Sequence, residues 1–252
     1  MTHAFQVQIQ EGIAELVIDR PPVNALTPEL LSALRTAVES APKEGARAII
    51  LSGGAKVFSA GMDVPHLMSL DAAGLKAGWA SLFAAARAIS ASPVPVVAAL
   101  AGHSPAGGCV LALCCDYRIM ARGPFRIGLN EVQVGLVAPD AIQHLMRRVV
   151  GTYRAERLLV AGELVESEQA LAYGLVDELT DAEHVSQRAL VWLEELLKLP
   201  AQAMLATRAL ARADLVSALS SFHDDDLDGF LDEWNSPQTQ AALQALVARL
   251  GK

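Results

Sequence analysis

The chain reads as an α/β protein whose last third turns helical, on three observations. Short apolar runs of strand length alternate with helical stretches through the first part of the sequence. Two glycine-punctuated turns, FSAGMD (residues 58–63) and SPAGGC (residues 104–109), each stand between a strand-like run and a helix-like one. From Arg154 onward the spacing of apolar residues is helical almost throughout.

Taken in order, IAELVI (13–18) is a strand that ends at Arg20-Pro21-Pro22. Thr27 is a helix N-cap, with Pro28 at the first helical position and Glu29 in the first turn. That helix runs to about Ser40 and carries Leu30, Leu31, Leu34 and Val38 on one face. ARAIIL (46–51) is a buried strand closed by Gly53-Gly54, and a helix is expected over 71–89. Residues 94–100 form the next strand, and 107–113 a short helix, apolar all round and hence buried. Residues 117–120 and 125–127 return as short strands. Helices are expected at 153–160, 166–173, 181–199, 201–215 and 237–250, with a last strand at 175–178. No Ser/Gly-rich linker interrupts the chain, so the helical tail is expected to pack on the core, with some apolar faces left for another subunit.

With 252 residues, 52% hydrophobic and 19% charged, the chain has enough apolar material for a large core. Its apolar runs are too short to span a bilayer, so no membrane partner is expected. The segment MTHAFQVQIQEG has neither a basic stretch nor an apolar run of export type. A cytoplasmic location is the default, or the mitochondrial matrix in a eukaryote. A net charge of −8 without a basic stripe argues against a nucleic-acid partner. Cys109, Cys114 and Cys115 lack CxxC spacing and read as buried thiols. The histidines show no HExxH or paired spacing, so no metal site is expected, and His103 is given a structural or rim role.

Two motif readings meet chemical objections. Gly102-His103-Ser104-Pro105-Ala106 approaches the G-x-S-x-G nucleophile elbow. The residue after that serine must donate an N–H to the oxyanion hole, and Pro105 has none. Gly53-Gly54-Ala55-Lys56 lacks the spacing of a phosphate loop. The two turns themselves remain. Gly61 lets the chain bend and expose the N–H of Met62, and Gly107 opens a helix, where its N–H has no intrahelical partner. If the two donors converge, they stabilise a carbonyl oxygen that becomes an enolate. Glu131, in GLNEVQVG, is flanked by Leu129, Val132 and Val134; poor solvation there would raise its pKa and strengthen it as a base.

FSAGMDV, PAGGCVLALCCDYRI and IGLNEVQVGLVAP together resemble the enoyl-CoA hydratase/isomerase (crotonase) family, over nearly the whole chain from RPPVNALTPEL to AGELVESEQALAYGLVDEL. The resemblance implies a spiral core of ββα units over residues 1–190, holding an acyl-CoA site. It also implies a C-terminal helical trimerisation region over 191–252. Met62 and Gly107 match the family's oxyanion-hole donors, and Ala60, Gly61, Met62, Asp63 and Val64 its CoA-binding loop. Val23 and Ala25 fall in the matching RPPVNALTPEL segment and are assigned to the same ligand. Hydratases of the family carry two glutamates, one just after the glycine run; here that position is Val110, and only the later one, Glu131, is acidic. Splitting water needs two polar groups, and valine is not one.

PAGGC and GLNE are similar to mitochondrial-type Δ3,Δ2-enoyl-CoA isomerases, in which a lone glutamate moves the proton and the residue matching Asn130 contacts substrate. The resemblance thus implies an isomerase of fatty acid β-oxidation acting on an acyl-CoA thioester. Its helical tail, including Trp234 and the 237–250 helix, would assemble it as a homotrimer or dimer of trimers, with no cofactor beyond the CoA of the substrate. Lys56 and Arg20 are candidates for the CoA phosphates or plain surface charges; Trp79, Phe83 and Met68 are candidates for the acyl pocket or plain core. Three other readings stay open: a hydratase or another crotonase-type acyl-CoA reaction, a serine hydrolase at Ser104, and a non-catalytic acyl-CoA-binding subunit.

Overall fold

The computed structural model describes residues 5–250 and opens on a strand ahead of the first one expected. β1 (Phe5–Gln10) and β2 (Ile13–Ile18) form an antiparallel hairpin. Both residues of its turn, Glu11 and Gly12, have positive φ, which matches the twist of the flanking strands. In α1 (Pro28–Ser40) the Thr27 hydroxyl accepts from Leu30 N at 3.3 Å, the cap expected of it. β3 (Ala48–Ser52), α2 (Val64–Leu67), α3 (Ala72–Ser90) and β4 (Val96–Leu100) follow, then β5 (Ser104–Pro105), α4 (Gly107–Leu113), β6 (Tyr117–Ala121) and β7 (Arg126–Gly128). Every residue of α4 is buried, as its composition requires. Next come a 3-10 turn (Glu131–Val134), α5 (Asp140–Val150), α6 (Thr152–Ala161), β8 (Val165–Glu166), α7 (Ser167–Tyr173) and β9 (Glu178–Thr180). Five helices end the described chain: α8 (Val185–Leu196), α9 (Ala201–Ala211), α10 (Ala213–Ser220), α11 (Asp224–Trp234) and α12 (Pro237–Leu250).

The main sheet has six strands in the order β1-β2-β3-β4-β6-β9, parallel except for the first hairpin. A parallel sheet needs cover on both faces, and β3 and β4 are accordingly buried at every residue. Leu16, Leu51, Ala98 and Leu100 face the cluster that holds Leu31, Leu34 and Ile89 of α1 and α3. Ile13, Ile50, Val97 and Ile119 face the opposite way, onto Val185, Ala189 and Leu193 of α8. A smaller sheet, β5-β7-β8, sets Pro105 beside Gly128 and so ties the second glycine turn to the segment that leads to Glu131.

The C-terminal helices are docked partly by charge. Asp116 accepts from both Nε (2.7 Å) and Nη2 (2.8 Å) of Arg208, pairs with Arg212 at 3.2 Å, and receives Val96 N at 2.8 Å. Removing one member of such a buried cluster strands the others, at about 3–5 kcal/mol.

Several boundaries differ from expectation. The helix expected over 201–215 is two helices, because the chain turns at Arg212. The turn lets Leu215 and Leu219 of α10 enter the core while α9 buries none of its residues. The last strand is Glu178–Thr180; Leu175 and Val176 are apolar because they fill the core, not because they pair. The helix expected over 181–199 starts as a 3-10 turn (Ala182–His184) and ends at Leu196. α2, α5 and α11 are additional helices. Trp234 does not wait on a subunit face: it is 2% exposed and packs edge-on to Trp79, which also meets Phe230. Phe83 stacks on Phe222, and Trp79, Phe83 and Met68 all belong to the main apolar cluster. Cys109, Cys114 and Cys115 are free, and burial pushes each thiol well above its ordinary range.

Candidate active site

The two glycine turns meet. Leu26 N donates to Gly61 O at 2.8 Å and Asp63 N to Leu26 O at 3.0 Å, with Met62 between them. Asp63 N is thereby used, Gly61 N donates to Ser59 Oγ, and the N–H of Met62 is left without an acceptor among the described residues. Gly107 is the first residue of α4, so its N–H points out of the helix start. A Cβ on Gly61 would lie 3.2 Å from the Gly107 nitrogen, and one on Gly107 would lie 3.5 Å from the Met62 nitrogen. Two free donors therefore border one small space, as an oxyanion hole requires.

Local chemistry forces this approach. Ala106 has φ +48° and ψ −123°, a region that residues with a Cβ rarely enter. Its N–H is held by Gly128 O at 2.8 Å, so the strain is sustained by the smaller sheet. Gly108 must be glycine, since a Cβ there would come within 2.7 Å of Ser59 O. Two residues that sequence reasoning passed over do the lacing. Asn24, 5% exposed, donates from Nδ2 to Val57 O and Phe58 O and accepts Arg20 N on Oδ1. Ser59 donates to Asn24 O at 2.8 Å and accepts Gly61 N at 3.1 Å. A polar residue inside the apolar-flanked segment PPVNAL is the one signal that pointed to Asn24.

β7 delivers the acid. Three residues beyond Gly128, Glu131 begins the 3-10 turn, and its carboxylate lines a cavity of about 170 Å³. The other walls are Leu129, Val132, Val137, Ala138, Gln143, Leu159 and Val160, none of them ionisable. Its Oε2 is enclosed and has no hydrogen-bond partner among the described residues. Burial raises the Glu131 pKa to about 7, opposed by a bond from its own backbone N–H. The expected poor solvation is thus present, and a base poised near neutrality results. Burial raises the thiol of Cys109 in α4, and the charge of Glu131 adds to that rise. Val110, one turn along α4, is 2% exposed and offers no polar atom.

The remaining predicted residues divide. Ala60 and Val23 are exposed at the rim, joined by Ala60 N to Val23 O at 3.0 Å, and Ala25 accepts from Arg20 on its carbonyl. Asp63 caps α2 by accepting His66 N and pairs with Arg20 at 2.8 Å, so both charges serve the loop itself; Val64 is the first residue of α2. Asn130 Oδ1 is buried without a partner beside Glu131. Lys56 is exposed. Ser104 is fully buried and its hydroxyl has no partner, so no histidine activates it among the described residues. A cleft of about 520 Å³ lies between Tyr153, Arg154 and Tyr173 and holds none of these groups. Asp181, Glu183 and His184 have ligand atoms within 4.8 Å of one another, but all three are exposed and apart from this set. Among the described residues no helix is long and apolar enough to cross a membrane.

A family model described as enoyl-CoA hydratase/isomerase matches residues 8–250. The chain belongs to the enoyl-CoA hydratase/isomerase family. Within it, the chain is 33% identical over 242 residues to the human mitochondrial enoyl-CoA delta isomerase 1, spanning 95% of this chain and 80% of the relative. It is 36% identical over 200 residues to a probable enoyl-CoA hydratase of Mycobacterium avium, spanning 79% and 77% of the two chains. The crystal structure of human mitochondrial delta3-delta2-enoyl-CoA isomerase superposes with a TM-score of 0.94 at 32% identity, over 99% of this chain and 98% of that one. The α/β crotonase fold with C-terminal helices is therefore that of the family, and the protein is an enzyme of the hydratase/isomerase type.

Proposed function

We propose that the protein is a Δ3,Δ2-enoyl-CoA isomerase that converts a 3-enoyl-CoA into the trans-2-enoyl-CoA, with a place in fatty acid β-oxidation. One observation carries this reading: Glu131 is the single ionisable group among the described residues that line its cavity. The family resemblance supports it, since the position matching the hydratases' second acid is Val110, buried and without a polar side-chain atom. The thioester oxygen sits between the N–H groups of Met62 and Gly107. Glu131 takes a proton from C2, and the electron pair delocalises onto the carbonyl oxygen, giving a dienolate in conjugation with the C3–C4 double bond. The carboxylic acid so formed returns the proton to C4 while the double bond settles at C2–C3. Atoms and charge balance, and the scheme calls on no metal or redox cofactor. Ala60 to Val64, with Val23 and Ala25 across the rim, receive the CoA, and Asn130 lies against the acyl group.

The test is to supply 3-enoyl-CoA and 2-enoyl-CoA separately and follow both products. We expect rapid loss of the 3-enoyl substrate and little 3-hydroxyacyl-CoA from either. Hydration of 2-enoyl-CoA as fast as isomerisation would replace this reading with the hydratase one.

The enzyme in this reading is a homotrimer or a dimer of trimers. α9 buries no residue, Leu210 is 81% exposed, and Leu199 with Trp192, Leu196 and Met204 borders an apolar cleft of about 510 Å³. Sedimentation equilibrium should return three or six copies per particle; a single copy would remove the assembly.

A further inference from the structure

The acid rides on a weak element. A 3-10 turn of four residues has poor hydrogen-bond geometry and little intrinsic stability. Its bonds include Gln133 N to Asn130 O, Gly135 N to Glu131 O and Val132 O, and Leu136 N to Glu131 O. Yet a base must keep its carboxylate within about half an ångström of its working position. Something outside the turn has to hold it.

Two contacts do so. On one side Gln133 Nε2 donates to Gly162 O at 2.8 Å, just past α6, where a Cβ on Gly162 would meet Val132 at 2.7 Å. On the other side stands Thr239 of α12, a polar residue only 2% exposed. Its hydroxyl donates to Gly135 O at 2.8 Å, at the residue that closes the turn with φ +77°. The same oxygen receives a bond from the Ser236 hydroxyl at 3.0 Å, and Ser236 Oγ accepts Thr239 N at 3.2 Å. Each hydroxyl proton is thus committed, which fixes the direction of the bond to Gly135. The approach is close: a Cβ on Gly135 would stand 3.2 Å from Thr239 Cα. Leu243, fully buried one turn further along α12, anchors the helix behind it.

We propose that Thr239 is a positioning residue for the acid, its hydroxyl holding the turn of Glu131 against α12. The inference rests on the reading of Glu131 as the acid–base residue. It makes part of the C-terminal helical region a support of the chemistry as well as of assembly. A shift of an ångström at a reacting group can cost about a hundredfold in rate. The loss should fall on kcat, since Thr239 lies outside the loops assigned to CoA.

The experiment compares Thr239→Val, of the same shape without the hydroxyl, with Thr239→Ser, which keeps it. For Thr239→Val we expect kcat down about 10- to 100-fold with KM within about threefold. The midpoint of its pH profile should move down as the loosened carboxylate gains water, Cys109 of α4 being its titratable neighbour among the described residues. Thr239→Ser should restore both. A folded Thr239→Val enzyme with the parent's kcat and pH midpoint overturns the proposal, as does a Thr239→Ser variant no better than Thr239→Val. If Thr239→Val does not fold, Ser236→Ala removes the relay donor and is judged by the same kcat and pH readouts. Glu131→Gln is assayed in parallel. If it stays active, the reading of the acid falls; if it is inactive while Thr239→Val matches the parent, only the clamp falls.

Discussion

Glu131→Gln is expected to lower the turnover of 3-enoyl-CoA by about 10²- to 10⁴-fold while leaving the fold intact. Glutamine keeps the shape and the buried surroundings but cannot accept the C2 proton. The walls of the cavity hold no other ionisable group to take over the task. The parent enzyme should show kcat/KM rising with pH to a plateau, with a midpoint near the raised pKa of about 7, because the ionised form is the base. Stability runs the other way. A carboxyl whose folded pKa lies above its unfolded value of 4.5 favours the folded state at low pH. That contribution is lost as pH rises through about 7. Glu131→Gln should therefore melt higher than the parent at pH 8 and about equal to it near pH 4. The gain is on the order of 1–2 kcal/mol, since Glu131 is only half-buried and solvent screens part of the effect. Turnover at the parent rate in the glutamine variant would remove Glu131 from the mechanism.

How much of this could be seen in the sequence follows from the range of the forces involved. The Thr27-Pro28 cap, the buried helix of GGCVLAL and the apolar neighbours of Glu131 are local features, and each stands where its local chemistry puts it. The lacing of the site is not local. Asn24 reaches Phe58 across 34 residues, and Thr239 reaches Gly135 across 104, so no periodicity announces either. The same holds at Arg212. Ala, Arg and Leu continue a helical pattern through it, and only the core contacts of Leu215 with Leu219 explain the turn. Trp234 meets Trp79, which lies 155 positions earlier on a helix whose neighbours the sequence does not name, so its burial within the chain is not legible locally. α5 was legible in principle. Ala141, Ile142, Leu145 and Met146 are its buried face, with the i, i+1, i+4, i+5 spacing of an amphipathic helix.

Gly61→Ala is expected to damage the site on two counts. Gly61 has φ +86°, where a Cβ costs about 1–2 kcal/mol of backbone strain. The new methyl would also stand 3.0 Å from the Ala106 Cβ and 3.2 Å from the Gly107 nitrogen. Neither neighbour has a flexible end that can move aside, and Ala106 is already held in a strained conformation by Gly128. The turns must part, and with them the two N–H groups that face the developing enolate. Loss of one such donor costs about 10²–10³ in rate. The strain alone can be measured at Gly45, which has φ +98° and nothing within 4 Å of an added Cβ. Gly45→Ala should lose a similar amount of stability and keep full turnover. Gly61→Ala should add the loss of kcat/KM, measured on protein shown to be folded by its melting curve. Equal activity in the two variants would mean that the N–H groups of Met62 and Gly107 do not share one oxygen, and the dienolate would need another source of stabilisation.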